Sequence, residues 1–131
     1  MALIAGTTVD SDSGYAQTIE AAGHHLTADE PASAGGTDTG PRPYGLLLAA
    51  LGACTSITLR MYSERKEWQL GHIHVALRLV RASDGAEHIE RDVSFSSALS
   101  EEQRSRLAEI AEKTPVTRTI KAGAPIQTRL L

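Results

Sequence analysis

Cys54 is the only cysteine in the chain, and it stands in the middle of the run "GLLLAALGACTSITLRMY", residues 45–62. As a thiolate it would be a nucleophile toward peroxides and disulfides; as a protonated thiol it is a small packing residue. Helical spacing surrounds it with Ala50, Leu51, Ile57 and Thr58, which is the setting of a packed core side chain. Mid-helix, the N-terminal dipole gives it little help, so a reactive thiolate would need a cation from elsewhere in the fold or from a second subunit. Both readings, reagent and core residue, stand on these residues alone.

The other side chains that could do chemistry do not converge. His72 and His74 share one strand face, but a hairpin register sets His88 opposite Val80, about 20 Å along the strand from His74 at 3.3 Å per residue. His24 and His25 are neighbours on a strand and point to opposite faces. With no thiolate nearby in sequence, no metal is expected. There is no G-x-S-x-G turn for a serine nucleophile. The paired acids Asp29-Glu30 and Glu101-Glu102 are adjacent rather than convergent, and the second pair suits the first turn of a helix. The glycine-rich stretch "PASAGGTDTGPRP", residues 31–43, lacks the lysine of a phosphate-binding loop, so no nucleotide cofactor is expected.

Bulk properties narrow the setting. With 131 residues, 41% hydrophobic and 22% charged, the chain suits one globular domain over residues 1–131. A net charge of -3 with no basic run excludes the footprint of a nucleic-acid partner. "MALIAGTTVDSDSG" has no cationic region before its apolar residues and meets Asp10 early, unlike a signal peptide. The apolar stretch Leu46 to Leu59 is shorter than the roughly 20 residues a membrane crossing needs, and Arg60 ends it. A soluble, cytoplasmic protein without a membrane partner is expected, and a lone cysteine suits a reducing compartment.

The elements that must position Cys54 follow from patterning. Residues 2–30 alternate loosely, with Gly14 and Gly23 as punctuation, and predict a meander of short antiparallel strands. Pro43 opens a helix that should run to about Glu67. Its first half is apolar on every side, which requires cover on every side; a second subunit is the natural source. Residues 72–82 and 87–96 predict a hairpin. A three-residue loop, Ser83-Asp84-Gly85, sets Leu79 against Ile89, Val75 against Val93 and Ile73 against Phe95 on one face, with Arg78 opposite Glu90 on the other. "SEEQ", residues 100–103, is a capping box for a helix that continues through Leu107 and Ile110 until Pro115 disturbs it. "PIQTRL", residues 125–130, reads as a closing strand. The layout is α+β, with antiparallel sheets and a long buried central helix.

The run from Ala28 to Trp68, with its P-Y-x-L-L-L-A-A-L-G-A-C-T core, resembles the OsmC/Ohr superfamily, in particular its small OsmC-like branch, and "TPVTRTI" fits that branch's second motif. The resemblance implies an OsmC-like fold, an intertwined homodimer with the long helices at its centre, and thiol peroxidase chemistry against organic hydroperoxides, with Cys54 as peroxidatic cysteine. It also implies where this chain departs. Thr114 stands in place of the second, resolving cysteine, so no internal disulfide can form. Tyr44 stands where the peroxidases carry a glutamate, with Gly45 beside it, and residues 1–41 contain no arginine to replace the family's thiolate-stabilising one. Arg118, four residues after Thr114, is the candidate stabiliser, with Arg42 the second choice; Tyr44, Thr114 and Thr117 are candidate lining residues. Two functions follow: a one-cysteine peroxidase using a small hydroperoxide and an external small thiol reductant, or a non-catalytic dimer that binds a small hydrophobic ligand or serves as a scaffold.

Overall fold

The computed structural model describes residues 1–131. Two compact units make up the chain, Met1–Leu47 and Leu48–Leu131, and the long helix begins in the first and ends in the second.

The first unit holds the predicted meander: β1 (Thr7–Asp10), β2 (Gln17–Ala21) and β3 (His24–Ala28) pair antiparallel in that order. Val9 faces Ile19, and Ile19 faces Leu26. Ala21 pairs with His24, leaving a two-residue turn, Ala22-Gly23, with φ of 52° and 83°. Two positive φ values in succession define the turn whose twist matches that of the flanking strands. Gly23 takes the second at no steric cost, whereas Ala22 holds the first against a Cβ penalty.

The glycine-rich loop after β3 is wrapped around one carboxylate. Asp29 is 2% exposed. Its Oδ2 accepts from the hydroxyls of Thr39 at 2.6 Å and Thr37 at 2.7 Å and from both backbone amides, at 3.1 and 3.3 Å. Its Oδ1 accepts from the Glu30 amide at 2.7 Å. The Thr39 and Thr37 hydroxyls, followed by the Thr39 amide, hold the Asp29 carboxyl well below the usual carboxylate range. A β-carbon on Gly36 would lie 2.0 Å from the Glu30 carbonyl oxygen, and one on Gly40 2.2 Å from that of Thr27. The glycines therefore serve close backbone approach around Asp29.

Helix α1 spans Pro43–Arg65, two residues short of the expected end; Glu67 turns the chain at a φ of 59°. Leu51, Thr55, Leu59 and Ser63 form a buried row at four-residue spacing, joined by Gly52. Away from this row Tyr44, Leu47, Ile57 and Met61 are exposed. Its 23 residues include an 18-residue stretch of mean hydropathy 1.4, which by length and composition alone would suffice for a membrane crossing, but the buried row is that of a helix packed on protein.

In the second unit, β4 (Ile73–Arg81) and β5 (Glu87–Phe95) form the hairpin in the expected register, including Leu79 with Ile89, Val75 with Val93, Ile73 with Phe95 and Arg78 with Glu90. Gly85 has a φ of 92° and donates to the Ala82 carbonyl at 2.9 Å. On the outer face Arg78 donates to Glu90 and Asp92, each at 2.9 Å. The inner face packs Ile73, Val93 and Phe95 against Leu59, Leu70, Leu107 and Ala111.

Helix α2 (Glu101–Ala111) opens on the expected capping box: Ser100 Oγ accepts from the Gln103 amide at 3.1 Å, and Gln103 Oε1 accepts from the Ser100 amide at 2.9 Å. Two expectations near the C-terminus are corrected. Pro115 does not merely disturb a helix; it is the first residue of a new one, α3 (Pro115–Ala122), since a proline at that position loses no hydrogen bond. Residues 125–130 are not a strand in this chain. Ile126 and Leu130 are exposed at 89% and 97%, and a strand without an adjacent edge has nothing to pair with.

Candidate functional site

Cys54 lies in the middle of α1, half-buried, with a free thiol. The next residue, Thr55, is fully buried and donates its hydroxyl to the Leu51 carbonyl at 2.7 Å. That leaves the oxygen as an acceptor, and Arg91 Nη1 donates to it at 2.9 Å. The other hydrogen of Nη1 goes to Thr117 Oγ1, also at 2.9 Å. Arg91 Nη2 donates to the Ala111 carbonyl at the end of α2, at 3.0 Å. Thr114 and Thr117 are themselves hydrogen-bonded at 2.6 Å. One guanidinium thus ties the turn of α1 that carries Cys54 to the end of α2 and the first turn of α3.

The arrangement is buried and polar. Thr114 is 0% exposed and Thr117 4%, and the Arg91 side chain is 12% exposed. An arginine in such a place is held by the hydrogen bonds its planar fork makes. Its nearest carboxylate is Glu112 Oε1, at 3.8 Å. Glu112 is engaged by Lys121, whose hydrogen bond, with smaller help from Arg91, draws the Glu112 carboxyl below its ordinary range.

Of the residues singled out from the sequence, Thr114 and Thr117 are brought together, and Arg91 joins them to the neighbour of Cys54. Arg118 follows Thr117 on α3; its side chain is exposed and has no hydrogen-bond or ion-pair partner. Arg42 donates Nε to Glu30 at 2.7 Å in the first unit, and Tyr44 is 57% exposed on the first turn of α1. No three His, Cys, Asp or Glu side chains are grouped so as to hold a metal.

Arg91 is the site residue that patterning overlooked. The signal was present: Ile89, Arg91, Val93 and Phe95 alternate along β5, so a charge occupies an inward position opposite Leu77. A charged residue in the apolar phase of a strand needs buried partners, and threonines supply them here.

Comparison with known proteins places these residues in a family context. Residues 36–129 match the family model described as OsmC-like protein. No curated protein sequence is significantly similar. Among solved structures, an OsmC-like protein from Mycoplasma pneumoniae is 20% identical with a TM-score of 0.75, covering 92% of this chain and 89% of its own. An organic hydroperoxide resistance protein OsmC from Legionella pneumophila is 16% identical with a TM-score of 0.67, covering 92% of both chains. The organic hydroperoxide resistance protein OhrB of Bacillus subtilis is 23% identical with a TM-score of 0.61, covering 91% of both. At these identities the likeness is one of fold, and that fold is the mixed α+β architecture described above.

Proposed function

We propose that this chain, which belongs to the OsmC-like protein family, serves in oxidative-stress defence as a one-cysteine thiol peroxidase, with Cys54 as the reacting group. The observation that carries the reading is a pairing of sequence and geometry. The family contains solved proteins named for organic hydroperoxide resistance, and the only thiol of this chain is free and half-buried on a helix turn that a buried guanidinium holds through the adjacent residue, Thr55.

The chemistry balances with an external reductant. The Cys54 thiolate attacks the terminal oxygen of a small organic hydroperoxide, the O–O bond breaks, and the alkoxide leaves and is protonated to the alcohol. Sulfur is oxidised to sulfenic acid. Thr114 offers no second thiol, so a small external thiol condenses with the sulfenic acid, releasing water and forming a mixed disulfide. A second external thiol restores Cys54 and carries away the disulfide. Arg118, with no partner of its own, is assigned the role of favouring the thiolate by its charge.

A homodimer is part of the proposal. Leu3, Ile4, Leu47, Ile57, Met61, Ile126 and Leu130 are all exposed in the single chain. So many large apolar side chains without cover are the mark of an interface. A second copy would bury the open side of α1 and give the C-terminal residues an edge to pair with.

The test is single-turnover oxidation. Reduced protein is mixed with a slight excess of an organic hydroperoxide and a sulfenic-acid trap, and intact mass is followed over seconds, with Cys54→Ser as control. Trapping at Cys54 much faster than at a free thiol is expected, and slower trapping in Arg118→Met. A rate no better than that of a free thiol would overturn the peroxidase reading in favour of a non-catalytic dimer.

A further inference from the structure

Within the second unit, α1, β5 and α2 line a cavity of about 240 Å³ that opens to solvent on one side. Leu59, Val93, Phe95 and Leu107 supply its apolar wall, and its charged groups are Arg91, Arg104 and Glu112. We propose that this cavity binds a small apolar monocarboxylate, with the tail against the wall and the carboxylate between Arg91 and Arg104.

Charge and hydrogen-bonding capacity select the ligand. Arg91 spends Nη1 and Nη2 on Thr55, Thr117 and Ala111, while its Nε–H has no protein acceptor and is not a sealed-off orphan. Arg104 is exposed, and its side chain has no hydrogen-bond or ion-pair partner. The one acid of the cavity, Glu112, is engaged by Lys121 and stands 3.8 Å from Arg91. Positive charge is therefore in excess beside an apolar wall. A carboxylate pairs with an arginine fork far better than an alcohol does, and an amine would meet two cations.

Size sets the chain length. At roughly 30 Å³ per water-sized group, the cavity holds about eight non-hydrogen atoms, the number in hexanoate. A ligand this small can reach a Kd of about 1 mM without exceptional contacts. The site does not depend on the Cys54 chemistry, and the Cys54→Ser variant should bind as the wild type does.

The experiment is a titration of isotopically labelled protein with hexanoate, hexan-1-ol and hexylamine, following backbone amide resonances. Saturable shifts centred on Val93, Phe95, Leu107 and Ala108 are expected for hexanoate, with the alcohol and amine at least about tenfold weaker. Arg104→Ala removes an exposed, unpartnered side chain, so the fold is retained; it should weaken hexanoate about threefold or more and leave hexan-1-ol unchanged. Shifts that do not saturate, shifts centred elsewhere, or an alcohol that binds as well as the acid would overturn the proposal. An unaltered hexanoate affinity in Arg104→Ala would overturn the two-cation arrangement.

Discussion

Three side chains carry consequences at the level of the single residue. Arg91 is bound by two hydroxyls and a carbonyl, so Arg91→Met would remove three buried hydrogen bonds, although Thr55 keeps the Leu51 carbonyl and Thr117 keeps Thr114. A loss of about 3 kcal/mol in denaturant unfolding is expected, and Arg91→Lys should restore only part of it, because an ammonium cannot reproduce the planar fork. Ser63 is 1% exposed, and its hydroxyl has no partner. Ser63→Ala removes an unsatisfied group and should stabilise the protein by about 1 kcal/mol. Asp29 has its carboxyl lowered by threonine hydroxyls from a reference of 3.8. A depressed folded-state pKa contributes stability in full above the unfolded value and loses it as pH falls toward the folded one. Thermal melts should therefore show Asp29→Asn well below the wild type at neutral pH, with the gap closing as the pH is taken below about 4. A gap independent of pH would show that Asp29 acts through shape alone. Arg91 was legible in the alternation of β5. Asp29 was not, because its partners Thr37 and Thr39 lie in a loop with no periodic signal.

Elements were legible where apolar alternation or a capping motif fixed them. The β4–β5 register follows from pairing Ile73, Val75 and Leu79 with Phe95, Val93 and Ile89, since a shift of one residue would turn every one of them outward. The capping box at Ser100 was equally readable, and Ser100→Ala should cost about 1 kcal/mol by thermal or chemical unfolding. The turn between β2 and β3 is less well suited to its residues. Ala22 has a φ of 52°, a conformation asparagine tolerates better. Ala22→Asn is expected to raise stability by about 0.5–1 kcal/mol. Misreadings cluster after residue 111. Pro115, expected to disturb α2, opens α3 instead, and Pro115 and Gly123 bracket that helix in the order helices favour. The segment 125–130 has the composition of a strand, but composition cannot supply a neighbouring edge.

At the scale of the whole molecule, a helix apolar on all sides packs one side, the row Leu51, Thr55, Leu59 and Ser63, within the second unit. The open face of α1, and the apolar residues at both ends of the chain, are the surfaces a second copy would cover. Native mass measurement should show a dimer. Replacing Ile57 and Met61, both exposed, with glutamate should shift it to monomer, and a wild type that is monomeric at micromolar concentration would rule the dimer out. Contacts also differ in how far they reach along the chain. Asp29 gathers acceptor bonds from residues no more than ten positions away, and the β4–β5 turn closes over a similarly short loop. Arg91 instead joins partners 36 and 26 positions distant. Short loops close at little entropic expense and long ones at more. The Asp29 loop and the hairpin can therefore close locally, while the guanidinium bridge between Thr55 and Thr117 requires that α1, β5 and α3 have met. The turn that bears the thiol is therefore anchored by contacts that exist only in the assembled second unit, so loosening any one of those three elements loosens its hold.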